Sequence, residues 1–314
     1  MASSESESLT RLFTSWNERR AVNQNEPIGF LRSIFSEWGA VTAEAPGVWF
    51  ESVDSPVPGI RAVPTDADPS SAILYIHGGG YIGGGSISHR KLAAHFARAI
   101  GAAAFVPDYR LAPEHRFPAP LEDVRTAFDW LVEGGIAPSR IVVAGDSAGG
   151  ALSTALAQQL RDNGSAVPGA VVTLSAYYDT EGLGESFHTN VQNDQLAGAR
   201  GRAGIQANVA MFISDEAQRT HPYVTALRAD ARGLPPHFLS VGGAELLVDG
   251  VKMFAQKLAD AGVAHELEVV PEMQHVFQLM AGRAPESDAS IQAIARFVRS
   301  HVPVKSMETM HASA

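Results

Sequence analysis

The chain has no cysteine in its 314 residues. Disulfide frameworks and thiolate metal centres are therefore excluded. Long hydrophobic runs are also missing, and none approaches the ~20 apolar residues that a membrane-spanning helix needs. Basic residues are in the minority: 24 Lys and Arg stand against 34 Asp and Glu, a formal charge of −10. That balance argues against nucleic acid or an anionic membrane surface as a partner. Met1 to Thr10 are rich in Ser and Glu and lack the basic start and apolar stretch of a secretory signal. The expectation is a cytoplasmic protein. Hydrophobic residues make up 45% of the chain and charged ones 18%. That is an ordinary globular balance, and the length suits one full core with a small subdomain.

The most informative segment that is present runs Gly145-Asp146-Ser147-Ala148-Gly149-Gly150. The apolar run Ile141 to Ala144 precedes it, and a helix-compatible run from Ala148 to Leu160 follows. Gly-x-Ser-x-Gly between a strand and a helix is the pattern of a serine presented on a sharp turn. The first amides of the following helix point at any negative charge that develops beside the hydroxyl. A serine hydroxyl is a poor nucleophile until a base removes its proton. The motif therefore demands a base, an acid to orient it, and an oxyanion hole.

The strand-like Ala72 to Ile76 leads directly into His77-Gly78-Gly79-Gly80. Successive glycines let backbone amides approach a reacting carbonyl without obstruction. Such a run faces the nucleophile elbow in lipases and esterases, where the amide of the residue after the serine, here Ala148, is the other donor. A plain flexible linker is the competing reading, but the order of strand, glycine run and elbow weighs against it.

There are 11 histidines, so a lone one carries little. His275 follows the strand-like His265 to Val270 and lies after the elbow in the chain, as the hydrolase order of serine, acid, histidine requires. His237 precedes a strand and is expected at the wrong edge of the sheet. Two acids lie between Ser147 and His275 in the right region, Glu245 and Asp249. Glu245 is nearer the end of the strand Phe238 to Gly242. Asp249 precedes the helical run Val251 to Ala261 and has a ready role as its N-cap. Glu245 is favoured as the acid, with Asp249 as the alternative.

From Ala72 onward, short apolar runs alternate with helical patterns. Strands are expected at Ala72–Ile76, Ala103–Pro107, Ile141–Gly145, Ala170–Ser175, His237–Gly242 and His265–Val270. Helices are expected near Lys91–Ile100, Ala119–Gly134, Ala148–Asn163, Val251–Ala261 and Ser287–His301. Gly47–Val53 and Ile60–Val63 suit an antiparallel hairpin at one edge. This is an α/β chain with a mostly parallel sheet covered on both faces. Two regions stand outside it. In residues 1–45, Leu9, Leu12, Phe13 and Trp16 form one helical stripe and Leu31, Ile34, Phe35 and Trp38 another, with a break marked by Pro27 and Gly29. Residues 181–222 separate two core strands and are too long for a plain loop.

The segments His77-Gly78-Gly79-Gly80, Asp108 to His115, Gly145 to Gly149 and Met273-Gln274-His275-Val276-Phe277 together resemble the hormone-sensitive-lipase-like carboxylesterases of the α/β-hydrolase superfamily. They occur in the family's order. The resemblance implies Ser147 as nucleophile, His275 as base, and the amides of Gly79, Gly80 and Ala148 as oxyanion hole. It also implies that 1–45 and 181–222 form a helical cap over a core made of 46–180 and 223–314. Phe35, Trp38, Met211 and Phe212 are then candidate pocket residues, with Trp16 beside them. Many members carry Asp-Pro-Leu-x-Asp at the acid site; here the segment is Glu245-Leu246-Leu247-Val248-Asp249. The stretch from Asp108 to Pro118 is expected to be structural, with its prolines fixing an irregular loop beneath the site. The expected activity is hydrolysis of short- to medium-chain or cyclic esters through an acyl-enzyme, without cofactor or metal. The expected partner is a small-molecule ester or lactone, and a homodimer is one open assembly state. Two other readings share the fold. Receptors that bind a small molecule without turnover have lost the histidine, whereas His275 is present. Related peptidases carry a large extra domain, for which 314 residues leave no room.

Overall fold

The computed structural model describes residues 2–22 and 28–304. The helices are α1 (Glu7–Val22), α2 (Ile28–Phe35), α3 (Ser86–Ile100), α4 (Ala119–Glu133), α5 (Ala148–Asp162), α6 (Ser186–Thr189), α7 (Gly201–Phe212), α8 (Val248–Asp260) and α9 (Pro285–His301). The strands are β1 (Val48–Val53), β2 (Gly59–Pro64), β3 (Ala72–Ile76), β4 (Ala103–Pro107), β5 (Ile141–Asp146), β6 (Ala170–Leu174), β7 (His237–Gly242) and β8 (His265–Val270). They form one sheet in the order β1-β2-β4-β3-β5-β6-β7-β8. Only the pairings of β2, with β1 and with β4, are antiparallel; the other five are parallel. Every residue of β3, β5, β6 and β7 is buried, as expected of strands covered by helices on both faces. This is the α/β-hydrolase fold. No described helix is long and apolar enough to cross a membrane.

Register brings the motifs together. Ile76 pairs with Gly145, so the glycine run after β3 and the serine after β5 leave the sheet side by side. Asp146 pairs with Leu174, and Gly242 with Val270. The loops after β6, β7 and β8 therefore emerge at the same edge, the carboxyl ends of parallel strands where open α/β sheets bind ligands.

Three local expectations change. α3 starts at Ser86, five positions before Lys91, because a distant carboxylate completes its first turn: Asp108 accepts from Ser86 N at 2.5 Å and from Ser86 Oγ at 2.8 Å. Asp249 is not the N-cap of α8. Leu247 holds that position, and Asp249 lies inside the first turn, where its Oδ2 accepts from Ser186 N at 2.8 Å. Gly29 is not a break but part of α2, while Pro27 lies outside the described residues.

Candidate active site

Ser147 stands between β5 and α5 with φ 52° and ψ −121°, a conformation that L-residues avoid unless surroundings enforce it. The surroundings do. Ser147 N donates to Leu174 O at 2.8 Å, and Ser147 O accepts from Tyr177 N at 3.1 Å and Ala151 N at 3.2 Å. The turn is tight enough to forbid side chains on either side. A Cβ at Gly145 would fall 2.6 Å from Gly149 O, and one at Gly149 would fall 2.0 Å from Ile76 O.

The glycine run after β3 lies against this elbow. A Cβ at Gly78 would fall 2.1 Å from Asp146 Oδ2. Gly79 and Gly80 take φ of +118° and +63° and both line the cavity beside Ser147. Their N–H groups donate to no backbone acceptor among the described residues, whereas Gly79 O is engaged by Ile82 N and Gly83 N at 3.1 Å each. The loop is anchored. Tyr109 stacks on His77 with ring centroids 4.2 Å apart, and its hydroxyl donates to His77 O at 2.9 Å. Tyr109 comes from the Asp108–Pro118 stretch, which thus contacts the loop that carries the glycine run.

His275 and Glu245 meet at 2.7 Å between Nδ1 and Oε2, both buried. The other carboxylate oxygen, Oε1, accepts from Gly242 N and from Ser175 Oγ, each at 2.6 Å. Ser175 Oγ in turn accepts from Val276 N at 3.0 Å. One hydroxyl thus ties the acid to the residue after the histidine. Burial lowers the pKa of His275, but the charge and hydrogen bond of Glu245, joined by the charges of Asp194 and Asp146, outweigh it and hold the imidazole above its ordinary value. Of the two candidate acids, only Glu245 reaches His275; Asp249 is engaged by Ser186 N and lies 3.4 Å from Lys252 Nζ. His237 is buried at the opposite end of β7, with Nδ1 2.7 Å from Pro235 O, and desolvation pushes its pKa down to about 4.

Ser147, His275, Gly79 and Gly80 share a cavity of about 60 Å³. Phe35 and Trp38 close one side of it. Trp38 lies 6.4 Å from His275 and stacks on Trp16 at 6.0 Å, between ring centroids. Trp16 is one layer removed from the cavity. Met211 and Phe212 do not line it. Phe212 is stacked 3.8 Å from Tyr81 instead, and Met211 packs on the core. Both are apolar residues of α7, but which neighbour each meets is decided by how that helix lies. The remaining wall was not foreseen. It includes Tyr177, Asp194, Leu196, Arg200, Asn208 and Leu247. The 181–222 segment that supplies four of these has no clear periodicity, and Ser175 is a strand-end serine with no motif around it.

Comparisons with known proteins agree with this geometry. The family model for the alpha/beta hydrolase fold matches residues 73–279. An acetyl-hydrolase of Streptomyces hygroscopicus is 35% identical over 227 residues, 72% of this chain and 75% of that protein. The carboxylesterase/phospholipase LipF of Mycobacterium tuberculosis is 32% identical over 91% of this chain and 78% of its own length. A crystal structure of an esterase from the bacterial hormone-sensitive lipase family superposes with TM-score 0.89 at 34% identity, covering 96% of this chain and 100% of that one. A structure of EstE5 soaked with p-nitrophenyl butyrate gives 0.85 at 31%, covering 96% and 99%. The chain belongs to the alpha/beta hydrolase fold family, on its hormone-sensitive-lipase-like carboxylesterase branch.

Proposed function

We propose that the protein hydrolyses short- to medium-chain or cyclic carboxylic esters through an acyl-enzyme. The observation that carries this reading is the 2.7 Å contact between His275 Nδ1 and Glu245 Oε2, made beside a cavity lined by Ser147. Glu245 fixes the tautomer with the proton on Nδ1, so Nε2 is left to take the proton of Ser147. Ser147 Oγ attacks the ester carbonyl, and the developing oxyanion is received by the amides of Gly79, Gly80 and Ala148. His275 then gives its proton to the departing alcohol. Water activated by His275 attacks the acyl carbon, releases the acid and restores Ser147. The cavity volume supports small acyl groups over long chains. Phe35 and Trp38 on one side, and Leu196, Arg200 and Asn208 on another, support the division into a cap of 1–45 and 181–222 over a core of 46–180 and 223–314.

The test is a stopped-flow assay with p-nitrophenyl esters of increasing acyl length and a set of lactones. A burst of p-nitrophenol equal to the enzyme concentration, or an acyl adduct on Ser147 by mass spectrometry, is expected. Ser147→Ala should lose several orders of magnitude in kcat with the fold intact, because the three groups act as a unit. Undiminished turnover in the folded variant would remove the mechanism.

A further inference from the structure

The polar end of the cavity holds an unresolved charge. Arg200 lines the wall just before α7, and its Nε is sealed from solvent with no acceptor within reach. Arg20, in α1, is in the same state at all three guanidinium nitrogens. Its guanidinium carbon lies 5.4 Å from the ring centre of Phe35, itself a wall of the cavity. Neither arginine forms an ion pair with a described carboxylate, although many other arginines of the structure do so. Desolvation, and then the positive charge of Arg200, bring the pKa of Arg20 down to about 10; burial likewise lowers that of Arg200. Asp194 is the acid whose charge Arg200 feels, but its oxygens already accept from the amides of Leu196, Ala197 and Leu246 at 2.8–3.0 Å.

Partly buried cations that lack an ion-pair partner are costly, and two sharing one neighbourhood more so. A protein of net charge −10 has acids to spare for pairing with them, yet the one acid in the cavity wall, Asp194, is held by three backbone amides and forms no ion pair with either. An anion that arrives with the substrate relieves both. Guanidinium matches a carboxylate in planar, two-point geometry.

We propose that Arg200, backed by Arg20, anchors a carboxylate carried by the ester substrate, so that the preferred substrates are half-esters of short dicarboxylic acids. This rests on the esterase reading above and adds the substrate class. The ester carbonyl meets Ser147, and the free carboxylate meets Arg200 at the far wall. Phe35 separates Arg20 from direct contact, so Arg20 acts by sustaining the positive field.

The experiment measures kcat/KM for monoethyl esters of malonate through adipate against the matching diethyl esters, by titration of released acid. The wild type should favour the half-ester at one or two chain lengths. Arg200→Gln should lower the ratio of half-ester to diester kcat/KM by about tenfold or more, mainly through KM for the half-ester, and Arg200→Lys should restore part of it. Arg20→Gln should lower it less. Rising salt should erode the ratio in the wild type and leave the Arg200→Gln ratio flat. The free dicarboxylate should inhibit competitively in the wild type and not in Arg200→Gln, with circular dichroism recording that each variant is folded. Preference for diesters at every length, or a ratio that Arg200→Gln does not change, overturns the anchor while leaving the esterase intact. Failure to cleave either ester series overturns the esterase reading itself.

Discussion

The site depends on one residue whose identity departs from the Asp common in its family. Glu245 lies one methylene farther from its backbone than Asp would, and the extra reach is absorbed by two donors, Gly242 N and Ser175 Oγ, that hold Oε1 while Oε2 meets His275. Glu245→Gln keeps the shape but favours the wrong imidazole tautomer, and a loss of about 10⁴-fold in kcat is expected by analogy with the same exchange in a serine protease. Asp249→Asn, which touches Ser186 and Lys252 instead, should retain most activity. Steady-state assays of the two variants side by side check this, and a dead Asp249→Asn beside a healthy Glu245→Gln would transfer the role. The pH profile tests the same pair. A base works only when neutral, and Glu245 raises the pKa of His275. The acid limb of kcat/KM should therefore have its midpoint above the ~6.5 of free imidazole. A midpoint below that value would mean that burial, not the carboxylate, controls the histidine.

At the scale of elements, the elbow shows why small residues are required. Gly149 lies in the first turn of α5, whose backbone passes so close to the end of β3 that a methyl group there would overlap Ile76 O and His77 O, at 2.0 and 2.5 Å. No flexible side chain is there to yield, only backbone. Gly149→Ala should cost at least the ~1–3 kcal/mol typical of overpacking, read as a lower midpoint in urea denaturation, and should disturb Ser147 even where the fold survives. A variant of unchanged midpoint and activity would mean that the elbow has slack the geometry does not suggest. The contrast with α3 and α8 is useful. Their first turns are completed by, or joined to, groups 22 and 63 residues away: Asp108 for Ser86 in α3, and Ser186 for Asp249 in α8. A local reading of cap residues has no access to such partners.

Across the whole molecule, the N-terminal segment completes the site. Phe13, Trp16, Phe35 and Trp38 are buried and stack in a chain that ends at His275. Deleting residues 1–45 would remove these four aromatic side chains, two of them cavity walls, and bare the apolar core surface they pack against. Aggregation in light scattering, and depressed activity on esters with bulky groups, are the expected results. A truncated protein that remains monodisperse with unchanged acyl-chain preference would show that the segment is not a cap.

The sequence by itself determined the α/β pattern, the elbow at Ser147, the glycine run after β3 and the candidate base His275. Each depends on local chemistry: alternating apolar runs, glycines where backbone must pass backbone, and a histidine just past a strand. Tertiary structure alone brought Glu245 rather than Asp249 to His275, because the choice depends on the register of β7 against β8 and on what else each carboxylate meets. It alone stacked Phe212 on Tyr81 and brought Arg20 and Arg200, 180 positions apart, into one field. Long-range juxtaposition has no period and no motif; it follows from packing, which acts between residues without regard to their separation along the chain.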